Sequence, residues 1–561
     1  MPILRSESSA PQPSIDPAPT ASAAWLTRWL PVVLAVTCFV VMCALVLSQA
    51  EKMIEPDPYA YRASIAALEN GDVTLTQAQY EQLTAQLQRT SLGGGISQWH
   101  QNADGSWVSE KNPGYPYLAV AFDEVGAMRF GPLFYGALAC LGLWLGGRRW
   151  LGRWGGTFAV GAYCSSAVVM VMAWRSFMPT FTDASLVACG LGLLVWATLA
   201  LDRSRTVRVL VGASAFLSLG LAVFVRYTNV AVLAIAAVFA VCVCLRPRWR
   251  LGWSALVWWA VAALAPLLAA LAYDAAVFDG PFSTGYRSTD VQFTLDSIPK
   301  NLRSMPSHLW QAMPVFVIGL AAVVGIAVLQ VAGLLHRRGT TPTEGAPPAE
   351  VPRPVHEAEV PRLVADRWIG LFLLGAWAAI WGVYAAYQWT ARFGGSGALG
   401  GGPGGPGGGP GGLGGGLTYT IVRFYVPALG AVALLAAWLI MRLPKVLGVV
   451  VIAGLFVAGG VGFTSTVHSQ WATSFGGGGF PGGGGPGGPG GTGGPAGRAP
   501  DLANCPNPPP PVPGAQGGGA GPDAPGGFDP SAAGPPGGIT FDEHGCPVLP
   551  STTTTPAAPG G

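Results

Sequence analysis

Eleven near-continuous apolar runs, each of about 17–25 residues, punctuate the chain at 30–49, 130–147, 155–173, 184–201, 209–225, 229–245, 252–272, 313–335, 368–387, 425–441 and 446–464. A run of that length, wound as an α-helix, matches the hydrocarbon thickness of a bilayer, so each predicts a transmembrane span. Between the first two runs the pattern becomes amphipathic. YAYRASIAAL and TLTQAQYEQLTAQLQR each predict a helix with one apolar face, and ISQWHQNADGSWVSE a hairpin-like stretch. KNPGYPYLAVAFDEVG follows, aromatic and apolar and ending in acids; such helices lie in the interface plane. The expected fold class is an all-α polytopic membrane protein of about eleven helices, with interfacial helices in the first loop. No small-residue cleavage site follows the first run, which therefore reads as an anchor and not as a signal peptide.

Charge supports that pattern and orients it. Of the 561 residues only 11% are charged, against about 25% in soluble domains. Alternate loops collect the arginines: 148, 149 and 153; 203, 205 and 208; 246, 248 and 250; 337, 338, 353, 362 and 367; and Arg442 with Lys445. With Arg5 and Arg28 these make 18 of the 31 Lys and Arg residues, which marks that side as cytoplasmic by the positive-inside rule. The N-terminus is then cytoplasmic and the C-terminus extracytoplasmic, in a multi-pass plasma-membrane protein. The other face carries the loops 50–127, 174–183, 226–228, 273–312 and 388–424 and the tail from 465. A net charge of +3 with no basic patch excludes a nucleic-acid partner.

Low-complexity composition sets the domain boundaries. Residues 1–29 are expected to be a disordered cytoplasmic terminus, 30–465 the transmembrane domain, and 466–561 a disordered Gly/Pro-rich tail. A second Gly-rich stretch, 394–416, is expected to be a disordered insert. Cys505 and Cys546 are the cysteines outside the spans and either pair on an oxidising face or stay free. The other cysteines show no ligand spacing, and no metal motif or cofactor is indicated.

Several stretches carry a resemblance. The chain has a long loop after span one that opens with acids in EKMIEPDPYAYR. KNPGYPYLAV precedes span two, AVFDGPFSTGY follows a later span, and RFYVPALGAVALLAAW opens a late one. Over residues 30–465, the Gly-rich insert aside, this order resembles the GT-C superfamily of membrane glycosyltransferases. More narrowly, it resembles family 39, the dolichyl-phosphate-mannose-protein mannosyltransferase-like proteins. One departure is that Pro56 separates Glu55 from Asp57, where the family often shows adjacent acids. The resemblance implies a GT-C-like bundle that moves a sugar from a polyprenyl-phosphate donor to a cell-envelope glycan, lipid or protein on the outer face. It also implies an inverting displacement.

That chemistry needs a carboxylate to take the acceptor's proton and cations to hold the departing phosphate. Asp57, held between Pro56 and Pro58, is the first choice for the base, against a role as a solvated turn or cap residue. Glu55 is its alternate, and Asp183 is either a site residue or the N-cap of the fourth span. For the phosphate the candidates are Arg226, Arg423, Lys111 and Arg175, with Arg287 also on that face. Arg226, in the turn FVRYTN, either snorkels or binds. Tyr227, Tyr286 and Tyr425 either line a pocket or form an interfacial belt. His100, His308 and His468 read as surface residues. The competing readings are a polytopic transporter or flippase, disfavoured by spans nearly free of charge, and a non-catalytic envelope scaffold.

Overall fold

The computed structural model describes residues 21–51, 56–88, 98–246, 251–278, 280–286, 292–339, 359–393, 413–469, 540–541 and 547–548. Each of the eleven apolar runs forms helix. Helix α1 (Ala21–Leu47) starts well before the expected 30. The first loop folds as α2 (Pro56–Glu69), α3 (Gln77–Gln88), the antiparallel pair β1 (Trp99–Gln101) and β2 (Trp107–Ser109), and α4 (Gly114–Glu124). Then come α5 (Gly131–Leu151), α6 (Arg153–Cys164), α7 (Ala167–Trp174), α8 (Pro179–Leu199), α9 (Arg205–Val225), α10 (Val230–Cys244) and α11 (Trp253–Val277). The chain continues through α12 (Ser297–Ala312), α13 (Val315–Gly339), α14 (Glu359–Ala385), α15 (Gln388–Phe393), α16 (Leu413–Val422), α17 (Leu429–Ile440) and α18 (Lys445–Val467). Among the described residues beyond 480, Thr540–Phe541 pairs antiparallel with Pro547–Val548.

Nine of these helices are single, apolar and long enough to cross a membrane. Two expected spans differ. The run 155–173 is broken between α6 and α7, with a bend of 61°. Ser165 and Ser166 sit at the break, and both hydroxyls donate back to the Ala162 carbonyl at 3.3 Å, which competes with the helical ladder. The run 425–441 yields only the 12-residue α17, after a 3-10 turn at Val426–Ala428. At 1.5 Å per residue α17 is too short to span, and nearly every residue in it is buried; it is an all-round apolar core helix packed by α13, α14 and α6. The Gly-rich insert also gives way earlier than expected, since α16 begins at Leu413; residues 394–412 lie outside the described set.

The bundle is tightest where α5 crosses α8. A Cβ on Gly192 would stand 2.2 Å from the Gly142 carbonyl oxygen, and one on Gly146 2.4 Å from that of Gly192, so small residues let two backbones touch. The first loop is more deeply packed than an in-plane amphipathic helix would be. Helix α2 presents Tyr61 and Ile65 to the bundle core and Ala60, Ala63 and Ala67 to a second core with Leu75 and Trp99. Stacking of Tyr80 on Trp107, with centroids 3.8 Å apart, closes that second core.

Candidate functional site: a charged, aromatic-walled cavity

Pro56 opens α2 at the first helical position, where a missing N–H costs nothing, and Asp57 follows in the first turn, where a carboxylate suits the helix dipole. The opposite partner comes from the loop between β2 and α4. There the Asn112 amide donates to the Val225 carbonyl at 3.3 Å. Two residues on, Gly114 lies so close to α9 that a Cβ would meet the Phe224 carbonyl at 2.4 Å. This junction fixes Lys111 beside the C-terminal end of α9, whose next residue is Arg226. Arg423 arrives from the link between α16 and α17.

These pieces meet at one carboxylate. Lys111 Nζ lies 3.2 Å from Asp57 Oδ1 and Arg423 Nη2 lies 3.0 Å from Asp57 Oδ2, with the three side chains only 8%, 10% and 14% exposed for Lys111, Arg423 and Asp57. Glu110 adds a second acid 3.6 Å from Lys111. Burial pushes the Asp57 carboxyl up, but Lys111, Arg423 and a hydrogen bond from Gln98 outweigh it and hold the group well below the usual carboxylate range. Burial likewise pulls Lys111 down, and Asp57 reverses that, keeping the ammonium charged far above neutral pH. Gln98 itself has a φ of 68°, a left-handed conformation uncommon outside glycine, and its Oε1 is buried without a hydrogen-bond partner.

A cavity of about 490 Å³ opens beside this cluster, within the usual range for small-molecule sites. Its polar wall includes Asp57, Gln98, Glu110, Lys111, Arg226 and Arg423. Its aromatic wall comes from Tyr286, Tyr384, Tyr387, Trp389 and Phe424. Asn301, fully buried, donates its amide to the Ala385 and Tyr387 carbonyls at 2.8 and 3.0 Å. It thereby holds the corner between α14 and α15 that turns these rings inward. The Arg423 guanidinium sits 4.9 Å from the Phe424 centroid and 5.6 Å from that of Trp389, and Arg226 is 5.6 Å from Phe424. Lys111 Nζ stands 5.3 Å from the Tyr286 ring. The 273–312 loop is pinned here too, because a Cβ on Gly285 would fall 2.4 Å from the Glu110 Cα.

The candidates therefore divide. Asp57, Lys111, Arg226, Arg423, Tyr227 and Tyr286 all line the cavity. Asp183 does not line it. It is fully buried within α8, which starts at Pro179, so it is not the helix cap. It accepts a hydrogen bond from the Asn229 amide and pairs with Arg226 Nε at 3.4 Å, holding that arginine at the cavity floor. Arg175 is buried at the end of α7 and Tyr425 is buried with its hydroxyl donating to the Tyr384 carbonyl at 3.0 Å; neither lines the cavity. Glu55, Arg287, Cys505 and Cys546 lie outside the described residues. Tyr384, Trp389 and Phe424 carry no sequence signal beyond aromatic clusters at run ends, and Gln98, in the first loop, carries none. Asp274, two residues past the run 252–272 and within the last turn of α11, accepts the Tyr227 hydroxyl at 2.9 and 3.0 Å. Among the described residues no group of three or more His, Cys, Asp or Glu is placed to hold a metal ion.

Fold and cavity together define a class, a polytopic helical membrane protein with a charged, aromatic-walled cavity at one end of its bundle. No family model matches the chain, and no curated relative does. Among solved structures it is similar to ArnT from Cupriavidus metallidurans bound to undecaprenyl phosphate, at 15% identity and a TM-score of 0.43, over 77% of this chain. The match spans 64% of that protein's chain.

Proposed function

We propose that this protein is a glycosyltransferase that moves a hexose or pentose from a polyprenyl-phosphate donor to a hydroxyl of a cell-envelope acceptor. The observation that carries the reading is the convergence of Lys111 and Arg423 on Asp57 at the edge of an aromatic-walled cavity. Two fixed cations suit a phosphate that gains charge as it leaves. A carboxylate beside them suits proton removal from an attacking hydroxyl. Aromatic faces suit the apolar face of a sugar ring. The residues lining the cavity come from the loops between spans or from helix ends abutting them, which suits a donor whose lipid stays in the bilayer while its sugar phosphate enters the cavity.

In the proposed reaction the acceptor oxygen attacks the anomeric carbon as Asp57 takes the hydroxyl proton. The bond from that carbon to the phosphate oxygen breaks, and its electron pair leaves with the polyprenyl phosphate, whose new charge falls on Lys111 and Arg423. Attack opposite the leaving group inverts the sugar carbon. Arg226, steadied by Asp183, extends the cationic floor, and Tyr227 and Tyr286 frame the substrate. The cavity faces the extracytoplasmic side in this reading, with the N-terminus cytoplasmic and the C-terminus outside. A transporter would instead set its charges mid-span. Here the cavity's ionisable groups sit at or beyond helix ends.

The test is to incubate purified protein with a panel of polyprenyl-phosphate hexoses and pentoses plus a membrane extract supplying acceptors. Donor consumption is expected with the wild type and not with Asp57→Asn. No turnover of any donor sinks the reading.

A further inference from the structure

Lys111 and Arg423 each face a separate oxygen of Asp57, so both cations are engaged with the same carboxylate. Paired in this way, the cations are partly neutralised toward an incoming anion, and the two neighbouring positive charges make the carboxylate a weak base. The two jobs assigned to this cluster oppose one another while the ion pairs stand. The surroundings favour one way out. Both cations are steadied independently of Asp57: Arg423 by the Trp389 and Phe424 rings at 5.6 and 4.9 Å, and Lys111 by the Tyr286 ring at 5.3 Å. They keep their places when the carboxylate lets go.

We propose that Asp57 stands in for the donor's phosphate: the arriving phosphate takes Lys111 and Arg423 from it, and only then is the carboxylate free to accept the acceptor's proton. This rests on the phosphate-donor reading above and deepens it. Donor must bind before an acceptor can be activated. During transfer the acceptor's proton passes to Asp57, the acceptor oxygen bonds to the anomeric carbon, and the electron pair of the broken bond leaves on the phosphate. After transfer Asp57 loses its proton to water, and the restored carboxylate competes with the product phosphate for the two cations, which assists release.

The experiment measures binding of farnesyl phosphate, a sugar-free probe, to the full chain in detergent, by calorimetry and by thermal shift. Asp57→Asn keeps the side-chain shape and removes the competing charge, so it is expected to bind the probe about tenfold or more tightly than the wild type, the size of a lost competing ion pair of limited exposure. Glu110→Gln, which relieves only Lys111, is expected to gain less, and Lys111→Ala to bind more weakly than the wild type. Wild-type binding with equal or weaker binding by a folded Asp57→Asn overturns the exchange and leaves the glycosyltransferase reading standing. Folded proteins none of which binds the probe overturn the phosphate-donor reading and the exchange with it. The wild type gives a second readout that needs no variant. The acid limb from Asp57 is expected in kcat, which reports the donor-bound enzyme, and not in kcat/KM for the donor, which reports the free one. The same acid limb in both overturns the proposal.

Discussion

Two groups of cations, one at each end of this bundle, hold different kinds of partner. At the arginine-rich end the guanidiniums cap helices. Arg208 donates to the carbonyls of Ala197 and Thr198 at 2.9 and 3.2 Å, and Arg149 to that of Leu199 at 3.0 Å, all at the C-terminal end of α8. Arg205 donates to the Leu251 carbonyl at 2.8 Å, and Arg442 to that of Trp438 at 2.6 Å. The carbonyls of Ala197, Thr198, Leu199 and Trp438 are ones that a helix end leaves open and that lipid cannot solvate, while that of Leu251 lies just before α11. At the other end Lys111, Arg226 and Arg423 each pair with a carboxylate and border the cavity. The separation is not complete: Arg149 also pairs with Asp202, and at the cavity end Arg129 donates to the Leu47 and Gln49 carbonyls at 3.3 and 2.6 Å. The lesson is that the partner of each cation, and not its place along the chain, separates a helix-capping role from membership of an ion-pair cluster.

The sharpest way to test that contrast is to neutralise the cavity end. Asp57→Asn is expected to lower sugar transfer by about 10²–10⁴-fold, the range for loss of a positioned base, while the protein stays folded. The measurement is turnover beside the melting temperature. Lys111→Ala or Arg423→Ala is expected to cost about 10²–10³-fold in kcat, as for loss of one donor to a developing oxyanion.

A gentler break leaves every charged group in place and moves the frame. Gly114→Val sets side-chain atoms against the backbone of α9 at Phe224 and Val225, so the loop carrying Lys111 must shift. A misplacement of the order of 1 Å is expected to cost roughly 100-fold in turnover. Gly285→Ala pushes on the Glu110 backbone and displaces the segment bearing Tyr286, with a smaller loss. If either variant turns over normally, the close approaches are packing only.

Much of this frame is legible from hydrophobic period alone, because apolar length and alternation are local properties. The runs all become helix, and the amphipathic and hairpin segments of the first loop appear as α2, α3 and the β1–β2 pair in that order. Asp57, Lys111, Arg226 and Arg423 could be singled out because a charge beside a membrane span is conspicuous. What stayed hidden depends on neighbours. Nothing in the run 155–173 distinguishes a broken helix from a straight one, since it contains no proline and the same back-bonding by a hydroxyl occurs inside unbroken helices, as from Ser214 to Leu210 in α9. The burial of α17 is likewise a property of the helices around it. Tyr384, Trp389 and Phe424 look like ordinary interfacial aromatics until Asn301 turns the α14–α15 corner. Asp183 reads as a helix cap in sequence because only the fold shows that α8 begins four residues earlier and brings Arg226 alongside.

Acid gives a graded test. Lys111 and Arg423 hold the Asp57 carboxyl below the usual range, so these ion pairs add stability above the ordinary aspartate value of about 3.9 and lose it only as pH falls through the lower folded-state value. The wild-type melting temperature should therefore owe no change between pH 8 and 5 to Asp57. In the double variant Lys111→Ala, Arg423→Ala, burial, the largest influence on this carboxyl, is opposed only by the Gln98 hydrogen bond, so the carboxyl rises and ionising it opposes folding. That protein should become more stable as the pH is lowered toward 5. A double variant with the wild-type profile breaks the assignment of the two cations to Asp57.

The smallest effect on activity is expected at the opposite end, and it completes the contrast. Arg208 is 3% exposed and its guanidinium serves the last turn of α8 through two carbonyls. Arg208→Gln keeps one donor and loses the charge and the fork, leaving at least one carbonyl short of a partner in a site that water reaches poorly. The cost should be about 1–3 kcal/mol of stability, as for other buried polar groups left unsatisfied. Transfer per folded molecule should be unchanged, because Arg208 holds the C-terminal end of α8 and it is Pro179, at the other end of this 21-residue helix, that lines the cavity. A loss of turnover without a loss of stability would mean that the arginine-rich end takes part in the chemistry, and the division of labour between the two ends would fail at its simplest point.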